Sequence, residues 1–194
     1  MPRRTRVLWI EDKTQLELAF LVPPVLLDGH YDLEVAHDAT EAVALLADPK
    51  THGEFDLLIF DLDLPPGEWD IFAAFYKRYE RRGEEPAMLG LELLSFLRTG
   101  RWVRGDFFTH AENYDALELL LKQMRRIYQS KPIGILSIYT DHRRDNLVEL
   151  LGLGPEQRPE WEKRLIVPKH AGLPRTALLQ LIRDLEGWAA AMGA

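Results

Sequence analysis

Residues 55–69 read FDLLIFDLDLPPGEW, and Leu57, Leu58, Ile59 and Phe60 run without a polar break into Asp61. A strand with one wet face alternates apolar and polar residues, so an unbroken apolar run is covered on both faces. Cover on both faces is the mark of a parallel sheet between two layers of helices. Asp before Pro or Gly is also ordinary turn chemistry, so Asp61 by itself decides nothing.

The rest of the chain repeats the pattern. Strand segments are expected at RVLWIE (6–11), YDLEVA (31–36), FDLLIFD (55–61), IGILSIY (133–139) and KRLIVPK (163–169). Helical apolar spacing lies between them, at EDKTQLELAFLVPPVLLDGH (11–30), DATEAVALLAD (38–48), 71–82, MLGLELLSFLR (88–98), YDALELLLKQMRRIYQ (114–129), DHRRDNLVELLG (141–152) and LPRTALLQLIRDLEGWAAAM (173–192). Asp38 with Glu41 three residues on is a capping-box start. Pro174 sits at a helix start, and Pro23 and Pro24 are expected to kink or split the first helix. RRGEEPA, TGRWVRGDFFTHAEN and LGPEQRPE read as loops. The expected fold is α/β, a doubly wound five-stranded parallel sheet in one domain spanning 1–194.

Composition narrows the chemistry. Net charge is −7 and 28% of residues are charged, which argues against nucleic acid as a partner. No apolar run is long enough to cross a bilayer, and the first residues lack a signal-peptide pattern, so a cytoplasmic protein is expected. With no cysteine, thiolate metal sites and cysteine nucleophiles are excluded. The segments YKRYERR (76–82) and KQMRRIYQSK (122–131) are locally basic and read as solvated helix faces.

In doubly wound sheets reactive groups gather at the carboxyl ends of the strands. Strand one ends in Glu11-Asp12 and strand three in Asp61, with Asp63 just beyond. Strand four carries Ser137 and then Thr140-Asp141, and strand five ends in Lys169-His170. Carboxylates crowded together repel unless a cation lies among them, and oxygen ligands without His or Cys favour Mg²⁺. Lys169 and Ser137 add a cation and a hydroxyl suited to a phosphoryl group. Asp61 is then the natural nucleophile for an acyl phosphate.

These residues, in this order, resemble the receiver domain of two-component response regulators, a flavodoxin-like fold. The matching motifs are Glu11-Asp12 after VLWI, Asp61 with Pro65 in DLDLPPG, Ser137 in ILSIYTD, Lys169 in LIVPKH, and GLELLSFLR (90–98) as the third receiver helix. The resemblance implies that Asp61 accepts phosphate from a histidine kinase or phosphotransfer protein. It implies Mg²⁺ held by Glu11, Asp12, Asp61 and the backbone carbonyl of Asp63, with Ser137 and Lys169 sensing the phosphoryl group. Output would pass to a downstream protein or to a second copy of the chain, with no membrane and no appended output domain, and with no catalysis beyond self-phosphorylation.

Several positions depart from the family. Pro168 precedes Lys169 instead of following it, Ile166 stands where an aromatic switch residue is usual, and Ile138 is bulky where a small residue is usual. Residues 68–88 and 99–130 have no receiver counterpart and read as insertions. Two rival readings remain. IFDLDLP resembles the first motif of haloacid-dehalogenase-type phosphatases, with Asp61 as nucleophile and Asp63 as acid/base. A receiver fold acting purely as a phosphate-independent interaction module would use RWVRGDFF (101–108), whose Trp, Arg and Phe are interface residue types.

Overall fold

The computed structural model describes residues 3–12, 15–48, 50, 54–80, 87–105, 107–108, 114–140 and 144–193. Five strands form one wholly parallel sheet: β1 (Thr5–Ile10), β2 (Tyr31–Ala36), β3 (Leu57–Phe60), β4 (Ile133–Ser137) and β5 (Ile166–Pro168), in the order β2-β1-β3-β4-β5. This is the flavodoxin-like doubly wound order, which reverses direction between β1 and β3. The strand termini expected at 55–61, 133–139 and 163–169 are trimmed to these shorter spans.

Helices cover both faces: α1 (Gln15–Asp28), α2 (Ala39–Ala47), α3 (Asp70–Glu80), α4 (Leu89–Thr99), α5 (Tyr114–Tyr128), α6 (Arg144–Leu150), α7 (Arg158–Leu165) and α8 (Ala177–Met192). Helix α8 packs on α1, β3 and β4, while α2, α4 and α5 pack on one another. Residues 57–60 of β3 and 133–137 of β4 are buried throughout, as an unbroken apolar run requires. Asp38 caps α2 by accepting the Glu41 amide at 2.8 Å, and the Glu41 carboxylate accepts the His37 amide at 2.7 Å.

Two elements differ from the sequence reading. Of a kink or a split at Pro23 and Pro24, the split does not occur: α1 runs through both prolines. The carbonyls that lose their donors there belong to Ala19 and Phe20, which are exposed to water, while buried Leu21 and Val25 hold the helix to the core. Residues 158–165, expected as loop and strand, form α7. Trp161 and Leu165 are buried one turn apart, and Arg158 reaches Glu162 at 2.6 Å along the same face.

The segments expected as insertions meet each other. Phe72 and Phe75 of α3 close on Phe108, whose ring stacks 3.9 Å from Trp102, which in turn lies 4.9 Å from Phe96 of α4. Trp102 and Phe108 are therefore core residues, and of the RWVRGDFF aromatics only Phe107 is partly open to solvent. Helix α5 is tied to α2 by Gln123, which donates to the Ala47 carbonyl at 2.7 Å. Arg98 ties α4 to the turn after α5 through the carbonyls of Gln129 and Lys131.

Candidate functional site

Four neighbouring strands deliver the site. The ladder continues one residue past each strand end, with the Glu11 amide on Ala36 and the Asp61 amide on Ile10, both at 2.8 Å. Glu11, Asp61 and Ser137 are fully buried, Asp12 is half-buried, and Lys169 is 9% exposed. Glu11, Asp12 and Asp61 each offer a carboxylate oxygen, and these oxygens lie within 4.8 Å of one another. An all-oxygen set of this size could hold a metal ion, and its hardness suits Mg²⁺ or a similar cation.

Both oxygens of Asp61 are engaged. Oδ1 accepts from Ser137 Oγ at 2.6 Å and from the Asp63 amide at 3.2 Å; Oδ2 accepts from Lys169 Nζ at 2.6 Å. Lys169 Nζ also contacts Glu11 Oε2, so one ammonium bridges two buried carboxylates. Burial, the largest single influence, favours the neutral amine. The charges and hydrogen bonds of Asp61 and Glu11 together outweigh it, and the Lys169 pKa is raised from its ordinary value. The Lys169 amide donates to the Ser137 carbonyl at 3.0 Å, so backbone as well as side chains joins the two residues. The reversed Pro168-Lys169 order thus still delivers the ammonium to Asp61, with Pro168 closing β5 opposite Ser137.

The other sequence candidates lie at the margin of this network, which the Tyr139 amide reaches by donating to Ser137 Oγ at 3.4 Å. His170 is exposed, and its Nδ1 accepts the Gly172 amide at 3.1 Å. Ile138 is 47% exposed, at the surface, while Ile166 is buried in β5 and Tyr139 is half-buried. Thr140 is buried, and Asp141 lies outside the described residues.

The loop after Asp61 is pinned from two sides. Pro65 and Pro66 carbonyls accept from the Ala39 amide at 3.0 Å and Thr40 Oγ1 at 2.9 Å, and Thr40 Oγ1 accepts the Trp69 amide at 3.1 Å. Gly67 has φ +74°, and a β-carbon there would lie 2.2 Å from Asp38 Oδ1. From the other side α4 arrives with Gly90 against the backbone of Asp61 and Leu62, and the Leu91 amide reaches the Leu62 carbonyl at 3.3 Å.

Sequence reasoning missed Gly90 and Glu92. The available signal was a glycine and a carboxylate inside GLELLSFL, where every residue from Leu89 to Leu97 is buried. Glu92, 2% exposed, accepts the amides of Val103 at 2.7 Å and Arg104 at 3.2 Å and so holds the loop after α4. Burial pushes its pKa up to about 7, only partly offset by the amides of Arg104 and Val103. The folded chain binds this proton more tightly than the unfolded chain. The resulting stabilisation is complete below the ordinary value of 4.5 and is lost as pH rises through about 7. Glu92→Gln keeps an acceptor for both amides without the charge. It is expected to raise stability above neutral pH by up to about 3 kcal/mol and to change little in acid. Urea denaturation across pH reads this out, and an equal effect at both ends would contradict it.

No protein-family model matches the chain, and no curated protein matches it. Among solved structures it is similar to the bacteriophytochrome response regulator AtBRR, at 17% identity and TM-score 0.49, covering 95% of this chain and 94% of that one. It is also similar to a fusion carrying the yeast Spc42 trimeric coiled coil, at 13% identity and TM-score 0.48, covering 99% of this chain and 86% of the other. The fold assignment rests on the sheet order itself. No helix among the described residues is long and apolar enough to cross a membrane.

Proposed function

We propose that the chain is a signalling receiver in which Asp61 accepts a phosphoryl group from a phosphohistidine donor. The observation that carries this reading is the convergence on Asp61 of Ser137 Oγ, Lys169 Nζ and the Glu11/Asp12 pair, from four adjacent strands. An Asp61 carboxylate oxygen would attack phosphorus as the P–N bond to the donor imidazole breaks. The imidazole nitrogen keeps the bonding pair, and an acyl phosphate results. Lys169 and Ser137, already on the two oxygens of Asp61, are placed to follow the charge onto the phosphoryl oxygens. Glu11, Asp12 and Asp61 would hold Mg²⁺, together with the Asp63 carbonyl; when bound, the ion would offset the charge of the incoming group. Because Asp61 is fully buried, a donor reaches it only after the side chains covering it move.

The acidic pair beside Asp61 comes from β1, the arrangement a receiver needs; the phosphatase motif calls for a pair late in the chain. The proposed setting is cytoplasmic. The donor would be a histidine kinase or phosphotransfer protein, and the output a contact with another protein or a second copy of the chain.

Incubation with Mg²⁺ and acetyl phosphate followed by intact-mass measurement tests this. One phosphoryl adduct is expected on the native chain and none on Asp61→Asn. A folded native chain that stays unmodified would favour the phosphate-independent interaction module, and steady release of phosphate over many turnovers would favour the phosphatase.

A further inference from the structure

At the end of α4 opposite to its contact with Asp61, the C-terminal end of that helix, residues 100–105 and helix α5 line a cleft of about 730 Å³. We propose that this cleft binds a small anion carrying two or more phosphate groups. Its charged lining is predominantly cationic, with Arg101, Lys122, Arg125 and Arg126 against one carboxylate, Glu118. Lys122 is matched by Glu118 at 2.8 Å, one turn earlier on α5. No carboxylate among the described residues forms an ion pair with Arg101, Arg125 or Arg126. In a chain of net charge −7, three unmatched guanidinium groups around one concavity form a local field opposite to that of the whole.

A basic helix face is ordinarily just solvated, and Arg126 alone would be read that way. Arg125 is different. It is half-buried, its Nε is fully buried without a hydrogen-bond acceptor, and its guanidinium lies over Gly100. A β-carbon at Gly100 would come within 3.4 Å of the Arg125 Cζ and Nε, so the glycine that ends α4 with φ +73° also leaves room for that group. Planar guanidinium forks match phosphate oxygens two at a time, and several forks around one cleft suit a ligand with more than one phosphate.

The remaining wall is preorganised. Arg101 is held by Ser95, which donates to its carbonyl at 2.8 Å, and by Thr99 Oγ1, which accepts its amide at 3.1 Å. Trp102 Nε1 donates to Tyr114 Oη at 3.2 Å. An indole only donates, so the phenol proton of Tyr114 remains available to an incoming oxygen. The volume lies within the range of small-molecule sites, large enough for a nucleotide.

Calorimetric titration of the full chain with inorganic pyrophosphate and with ADP, in buffer free of divalent cations, tests the site apart from the Asp61 cluster. Saturable one-to-one binding that weakens with added salt is expected. Arg125→Gln and Arg126→Gln are each expected to weaken it about tenfold or more. Asp61→Asn should leave it unchanged. Arg126 is exposed, so its variant keeps the test sound even if Arg125→Gln perturbs folding. Absence of binding by both probes, affinity untouched by either arginine variant, or a preference for citrate over pyrophosphate would each overturn the proposal.

Discussion

Gly90→Ala is expected to destabilise the chain by about 3 kcal/mol, in spite of the gain in helix propensity that alanine normally brings. A β-carbon at Gly90 would lie 2.0 Å from the Asp61 carbonyl oxygen and 3.0 Å from both the Asp61 carbonyl carbon and Leu62 Cα. These neighbours are backbone, so no side-chain rotation relieves the clash. Either α4 or the strand end carrying Asp61 has to move. Gly187 provides the control. It lies exposed in α8, where a β-carbon would meet only the Trp161 ring at 3.6 Å, an ordinary contact. Gly187→Ala is therefore expected to be neutral or to stabilise by up to about 1 kcal/mol. Urea denaturation of the two variants compares them directly. A Gly90→Ala chain as stable as the native one would refute the close approach.

The second large effect is at Lys169. Lys169→Met removes a cation that contacts both Glu11 and Asp61, leaving these two buried carboxylates without it. Breaking a buried pair in this way costs about 3–5 kcal/mol near neutral pH. Three accompanying results are expected. Adding Asp61→Asn to Lys169→Met restores part of the loss, because one of the two stranded charges is gone. Lowering the pH narrows the deficit as the carboxylates take up protons. Added Mg²⁺ narrows it too, if the triad accepts the ion in place of the ammonium. In the native chain the raised Lys169 pKa makes its contribution fully present below the ordinary value of 10.5, with loss only as pH climbs beyond that into strong alkali. A Lys169→Met chain that unfolds at the native urea midpoint would show that the bridge contributes nothing net.

The sheet was legible because its signal is local. An apolar run such as LLIF states its own burial, and the residue that ends it is by construction at the sheet's carboxyl edge. That is why Glu11, Asp61, Ser137 and Lys169 could be picked out as neighbours of one edge from residue types and strand ends alone. What the sequence does not state is which of them touch. The bridge from Lys169 to both Glu11 and Asp61 depends on strand order, a property of the whole chain.

The errors have the same origin. Helix α7 has a polar sequence, and its signal lies in the contacts of Trp161 and Leu165 with the rest of the fold. Pro23 and Pro24 are ordinarily breakers, yet α1 passes through them, its buried side anchored by Leu21 and Val25 and its freed carbonyls belonging to exposed residues. In RWVRGDFF the residue types do not say which aromatics are covered; Phe108 meets Phe72 and Phe75 of α3, some thirty residues earlier, and Trp102 lies between Phe108 and Phe96 of α4.

The contact of Gly90 with Asp61 has a mechanical consequence. Helix α4 is 11 residues long, a rod of about 16 Å, and its residues from Leu89 to Leu97 have no solvent side on which to yield. Its first turn rests on the peptide unit of Asp61, with no gap between them. Gly100 and Arg101 follow directly on its last turn. A displacement of the Asp61 backbone larger than the slack of a packed interior cannot be absorbed on the spot. It has to shift the whole rod, and the movement emerges at the far end, where the chain leaves α4.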